Sequence, residues 1–414
     1  MRATGTWKTP TTRAVALGAA LAALTAAAPA AAEPAPAEPP TVLAETAGTT
    51  GTADVAAAAE NAAAALPASV DGGAWRSGHV QGIGLDAERG HMYFSFTNTL
   101  VKTDLSGTVI GTVTGLTGHL GDLDVDERDG RVYGSLEYKA AEAFYIAIFD
   151  PERITRVGMD AEADGVLTTV HLAEVVADYT ADMDGDGVFD GNVADTADHR
   201  YGCSGIDGVS FGPEFGRPGG RTLLTVAYGV YSNAGREDND HQVLLQYDVA
   251  RWRGLDRPLD QDAPHTSGPR RPEGKYFVYT GNTTYGVQNL EYDAASGDWF
   301  MAVYNGVKPH FPNHSLYVID GSRRPALGPV RGQADDEQGW LLPLRGGGEV
   351  HAPTGVTGWP VSGGQYGLVS LGDGRFYVVE RGRRTEDGVT LETGVARLHR
   401  WTGAVPDPFE PVEG

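Results

Sequence analysis

Imidazoles and carboxylates recur at matched places along this chain. The phrases His79-Val-Gln-Gly-Ile-Gly-Leu-Asp86 and His119-Leu-Gly-Asp-Leu-Asp-Val-Asp126 begin 40 residues apart and align His79 with His119. Looser copies start at Gly205, Gly286 and Gln365; their alignment sets Gln81 beside Asp207 and Gln288, and Asp122 beside Asn289. Acidic groups brought together with imidazoles from separate segments are the equipment of general acid and base catalysis. The catalytic candidates are therefore Asp207, Glu291, Asp122, His79 and His119. Glu291, flanked by apolar Leu290 and Tyr292, suits an acid whose pKa burial raises. Asp207 would be the base, Asp122 a tuning carboxylate, and the histidines substrate-binding or proton-relay groups. Gln81, Gln288, Asn289 and His351, the last from the loop Gly346-Gly-Gly-Glu-Val-His351, are the substrate-binding candidates. Paired histidines with Asp122 or Asp207 would also suit a transition metal. A plainer use of the same residues is to hydrogen-bond one another and solvent.

A second constellation is local. Asp182-Met-Asp184-Gly-Asp186-Gly187-Val-Phe-Asp190 places carboxylates at alternate positions, with glycines that permit a tight reversal. Such oxygens converge on one hard cation, and their mutual repulsion is relieved by it. Over nine residues the segment resembles the calcium loops of EF-hand-like, dockerin and thrombospondin-type repeats. Val193 stands where those loops carry their last Glu, so Asp190, Asp195 or Asp198 would complete the shell. Ca2+ is the expected ion, with Asp182, Asp184, Asp186 and Asp190 as ligands, and its expected role is to brace a rim loop.

The elements that must position these groups are short strands. Each copy of the phrase is followed by an Asp- and Gly-rich turn and a run of β-branched and aromatic residues, at 91–96, 131–136, 222–228, 299–304 and 376–380. Third strands are predicted at 100–104, 144–150, 242–248, 315–320 and 395–401, and fourth strands at 109–113, 166–172, 275–279 and 340–344. The fifth module lacks a fourth strand, which residues 69–75 would supply, joining the two ends of the chain and removing an open sheet edge. Five such modules predict an all-β fold, a β-propeller of five four-stranded blades over residues 68–403, with a tail at 404–414. The copies are 40, 86, 81 and 79 residues apart, so the later modules must carry long loops; residues 173–179 read as a helix in the longest.

Ahead of these modules, Arg2, Lys8 and Arg13 precede an apolar run ending in Ala30-Ala-Ala32, the pattern of a secretory signal over residues 1–32. Residues 33–67 are rich in Ala, Pro, Glu and Thr and read as a disordered linker. Loss of the signal leaves 29 basic residues against 55 acidic ones, a formal charge of −26. A surface this acidic repels nucleic acid and anionic membranes, which argues against both as partners. Cys203 is the lone cysteine, so no internal disulfide is available, and Gly202-Cys-Ser-Gly205 lacks the spacing of a nucleophile elbow. A small buried residue is the expected state of this thiol.

At the level of its repeat the chain resembles the propeller superfamily over residues 76–401. Among five-bladed propellers, similarity to the arabinanase and fructosidase type of glycoside hydrolase implies two Asp and one Glu from inner strands of different blades, the places of Asp122, Asp207 and Glu291. The Asp-Pro signature of that group is replaced by His79-Val-Gln81. Calcium-activated nucleotidases and horseshoe-crab-type lectins share the blade number. The expectation is a secreted, calcium-binding monomer that hydrolyses a neutral or weakly charged glycan at the channel mouth. The alternatives are a glycan-binding lectin, a calcium-stabilised scaffold, or a nucleotidase or esterase acting on a small molecule. A lectin would repeat one set of binding residues in every blade, whereas the mouth residues here differ between modules.

Overall fold

The computed structural model describes residues 66–413; the predicted signal and nearly all of the linker lie outside them. The modules are the blades of a five-bladed β-propeller, each running from an inner strand outward. Blade I comprises Val80–Asp86, His91–Phe96, Thr99–Asp104 and Val109–Thr114. Blade II comprises His119–Asp126, Arg131–Tyr138, Ala143–Phe149 and Leu167–His171, and blade III Cys203–Pro213, Thr222–Val230, His241–Tyr247 and Gly274–Tyr279. Blade IV has Thr283–Asp293, Asp298–Asn305 and Leu316–Ile319. Blade V has Leu368–Ser370, Arg375–Glu386 and Val389–Trp401, and its outermost strand is Ser69–Trp75 from the other end of the chain. That strand runs antiparallel to Val389–Trp401, with Val70 opposite Ala396 and Trp75 opposite Glu392. The fully buried Val70 side chain adds roughly 1.5 kcal/mol to this closure.

Strand periodicity explains why the blades stack. In Ala143–Phe149 the side chains of Phe144, Ile146 and Ile148 enter the core shared with blade III, while Tyr145, Ala147 and Phe149 enter the core shared with blade I. Successive residues of a strand face opposite ways, so a strand apolar at every position is buried on both faces. Five hydrophobic cores result, one at each junction between neighbouring blades.

The long loops differ from expectation, because they carry extra strands that pad the preceding blade. From blade II, Met159–Asp160 lies parallel on Val113–Thr114 of blade I. From blade III, Arg257–Pro258 pairs with Thr168–Thr169 of blade II. From blade IV, Gln338–Leu341 lies parallel on blade III, Tyr276 facing Trp340, and Ala326–Pro329 pairs outside it. The predicted fourth strand of blade IV at 340–344 therefore belongs mostly to blade III; only Leu344 bridges back to Ile319. An outer strand leaves one row of backbone groups unpaired, and the returning loop satisfies part of it. The expected tail also contributes a strand, Phe409–Pro411, on His399–Trp401. The helix Ala173–Tyr179 forms as predicted, between blades II and III. Among the described residues no helix is long and apolar enough to cross a membrane.

Candidate active site

The inner strands divide the polar residues into levels. At the deeper level they fasten blades together. Asp122, fully buried, accepts the backbone N–H of Val209 (3.0 Å) and of Leu290 (3.0 Å), and so ties blade II to blades III and IV at once. Asp124 accepts the N–H of Phe211, and Glu291 the N–H of Ser370 at 2.9 Å. Asn289 donates to the Gln81 carbonyl and accepts from Leu368. Burial raises the pKa of Asp122 and Glu291 well above the usual carboxylate range, with neighbouring acids adding to it and the backbone N–H groups working against it. Asp122, Glu291 and Asn289 do not line the cavity at the mouth. This corrects the pairing of Asp207 with Glu291: only Asp207 faces the space a substrate would enter, so the two cannot flank one bond there. His351 is also elsewhere. Its turn closes the short pairing of Glu349–Val350 with Thr357–Gly358 beside the third strand of blade IV, and its imidazole bonds Thr354 Oγ1 at 2.8 Å.

Above this level lies a cavity of about 930 Å³, lined by His79, Gln81, His119, Asp207 and Gln288, all five anticipated, and by Glu137, Lys139, Tyr138, Tyr285 and Tyr304, which were not. The register of blade II brings the key pair together, because Glu137 is the cross-strand partner of His119. Two glycines make room for the acids. A Cβ on Gly205, whose φ is +117°, would overlap Glu137 Oε2, and one on Gly121 would lie 2.9 Å from Asp207 Oδ1. The Nδ1 atom of His119 is 3.6 Å from Glu137 Oε1 and 3.6 Å from Asp207 Oδ1, and makes no hydrogen bond in this arrangement.

The two acids have different surroundings. Glu137 Oε1 is 3.0 Å from Lys139 Nζ, and its Oε2 accepts the N–H of Ile206. Asp207 accepts only the neutral Gln288 amide, at 2.9 Å. Burial, then the charge of Glu137, raises the Asp207 pKa well above its ordinary value, against the opposing effect of Lys139. Burial lowers the pKa of His119. Burial, helped by Arg381 and His119, lowers that of His79 to about 4, so His79 is neutral at pH 7; its Nε2 lies 3.3 Å from Tyr304 Oη. For Lys139 burial favours the neutral amine, but Glu137 and Asp207 outweigh it and the pKa is raised.

Elsewhere, carboxylate oxygens of Asp182, Asp184 and Asp186 come within 4.8 Å of one another. Asp190 is turned to Thr196 Oγ1 instead, while Asp198 accepts the N–H groups of Met183 and Asp190 and ties down the loop. Cys203 is buried in the core between blades II and III, and burial pushes its thiol pKa up, which suppresses thiolate chemistry.

No protein-family profile and no curated protein sequence matches the chain. Three solved structures are similar in outline. The Dos1 propeller shares 10% identity over 82% of this chain and 85% of its own, with a TM-score of 0.34. Hydrazine synthase of Kuenenia stuttgartiensis shares 12% over 78% of this chain, with a TM-score of 0.30. An exo-β-1,3-galactanase of Phanerochaete chrysosporium shares 9% over 83%, with a TM-score of 0.37. This chain spans 66% of each of the latter two. Such similarity carries no argument about activity, and the strand pairings and the five inter-blade cores are what identify the chain as a five-bladed β-propeller.

Proposed function

We propose that the cavity is the active site of a hydrolase that cleaves a neutral or weakly charged glycan, with Asp207 as general acid and Glu137 as general base. The observation that carries this reading is the convergence of two carboxyl groups with unlike surroundings on one imidazole at a cavity floor. Pairs of acids whose environments differ in this way divide into a proton donor and a proton acceptor. Asp207 keeps its proton to a higher pH than an ordinary carboxyl group does and gives it to the glycosidic oxygen as the bond breaks. Glu137 takes a proton from the attacking water. Both acids lie 3.6 Å from His119 Nδ1, so their near oxygens are at most twice that far apart, which keeps both within reach of one bound sugar unit.

The test is a screen of the mature chain on neutral oligosaccharides, followed by Asp207→Asn and Glu137→Gln on whichever is cleaved. Each should lower kcat about 10³-fold. Activity needs protonated Asp207, so the wild-type rate should fall as pH rises through the raised pKa of that group. Full activity in either variant would overturn the assignment, and binding without turnover would favour the lectin alternative.

Calcium on Asp182, Asp184 and Asp186 belongs to the same proposal, supported by the proximity of three like charges. The loop follows the helix Ala173–Tyr179, and its Phe189 packs on Tyr179 and His199, so an ion there would stiffen the link between blades II and III without touching the cavity. Export of a monomer is the remaining part of the proposal.

A further inference from the structure

Seven described residues other than glycine have positive φ. Glu142, Asn313, Asp336 and Asp387 are short polar residues or Glu in turns and loops; His199 and Tyr201 are buried rings whose packing offsets the strain. Tyr285 fits neither group. Its φ is +64° and the residue is 55% exposed. A left-handed conformation is unfavourable for an aromatic residue, and a half-exposed ring has less packing to offset it than the buried rings of His199 and Tyr201.

The strain has a local origin. Tyr285 and Gly286 (φ +74°) are successive left-handed residues in a bulge of the inner strand of blade IV, where the register with Asp298–Asn305 shifts between Thr284 and Val287. A Cβ on Gly286 would lie 2.3 Å from the Tyr228 carbonyl oxygen, so blade III crowds the strand and the chain turns outward just before it. The turn throws the Tyr285 ring over the cavity, where it meets Tyr304 at 6.2 Å between centroids and 85° between planes. Gln288 Nε2 donates both to the Tyr285 carbonyl (3.1 Å) and to Asp207 Oδ2 (2.9 Å). One amide thus fixes the strained residue relative to the carboxyl group assigned as the acid.

We propose that Tyr285 is the aromatic platform of a sugar subsite, on which one pyranose ring of a neutral glycan rests its C–H face. The electron-rich face of a phenol attracts the polarised C–H groups of that face. Tyr304, nearly perpendicular, forms the side wall, and Gln81 and His79 face the hydroxyl groups from blade I. This rests on the glycan reading above.

The experiment compares the wild type with Tyr285→Gly and Tyr285→Phe on glucose, mannose, galactose and xylose hexasaccharides, by calorimetric binding, kinetics and thermal melting. Tyr285→Gly removes both the ring and the strain, so it should melt no lower than the wild type while Kd and KM rise about 10-fold. Tyr285→Phe keeps the ring and should bind as the wild type does. If Tyr285→Gly melts clearly lower, the ring is structural and the platform is rejected. If the wild type cleaves a hexasaccharide and Tyr285→Gly leaves KM unchanged, the platform alone fails and the hydrolase stands. If the wild type binds through Tyr285 without cleavage, the platform stands and the hydrolase fails. If no hexasaccharide binds, both fall.

Discussion

Inside a stack of β-sheets, the fate of a carboxyl group depends on which backbone N–H groups it meets. Asp122 meets three, those of Val209, Leu290 and Leu123, whereas Asp207 meets none and has the Gln288 amide instead. The first is used up by the fold; the second has capacity left for a ligand. Asp122→Ala would leave three buried donors without a partner and should destabilise by roughly 3 kcal/mol or more, read from the denaturant midpoint. A loss under about 1 kcal/mol would contradict the fastening role. Glu291→Gln should likewise change stability far more than kcat, the reverse of the pattern expected for Glu137→Gln.

At the scale of elements, connections between blades do more than span a gap. Blade I has a short turn between its third and fourth strands, while the excursions that follow the third strands of blades II, III and IV each return to the previous blade. The acidic loop proposed to bind calcium lies in a different connection, from the outer edge of blade II to the inner strand of blade III, and it is exposed. With Ca2+ bound, the melting temperature should rise, and Asp184→Ala with Asp186→Ala should abolish the rise. An unchanged wild-type melting temperature after chelation in metal-free buffer would refute a stabilising ion. Kinetics should be indifferent to the same variants, because the acidic loop is not part of the cavity lining.

The whole molecule buries several acids whose pKa is raised on folding: Asp122, Asp207, Glu291 and Asp124, the last pushed up to about 7 chiefly by desolvation. Such groups hold protons that the unfolded chain has already released above the ordinary carboxyl pKa near 4. The native state therefore binds more protons between about pH 4 and 7, and stability must fall as pH rises through that window. The formal charge of −23 adds repulsion in the same direction. Melting temperatures measured from pH 5 to 8 should decline, and less steeply in Asp124→Asn. A rise across the range would show that these acids ionise freely in the folded protein.

Period-two patterning and the phrase around His79 and His119 were enough to determine five modules, their inner strands and the closure by Ser69–Trp75, because each depends on local alternation and on a strand count. Val70 and Ala396 pair across the ends of the chain for that reason. The extra edge strands were not legible, since Met159–Asp160 and Arg257–Pro258 have no apolar alternation and become strands only by lying against another blade. Glu137 was within reach: one more residue on the predicted strand 131–136 would have set it opposite His119. Which acids face the cavity was partly legible: Gln81, Asp207 and Gln288 share one aligned place and all line it, whereas Asp122 and Asn289 share the next place and do not. What the off-cavity acids do instead was decided by tertiary structure. Their fastening role arises where blade II meets the N–H groups of blades III and IV, and blade IV those of blade V, because a carboxyl group is claimed by whichever buried donors the neighbouring sheet presents.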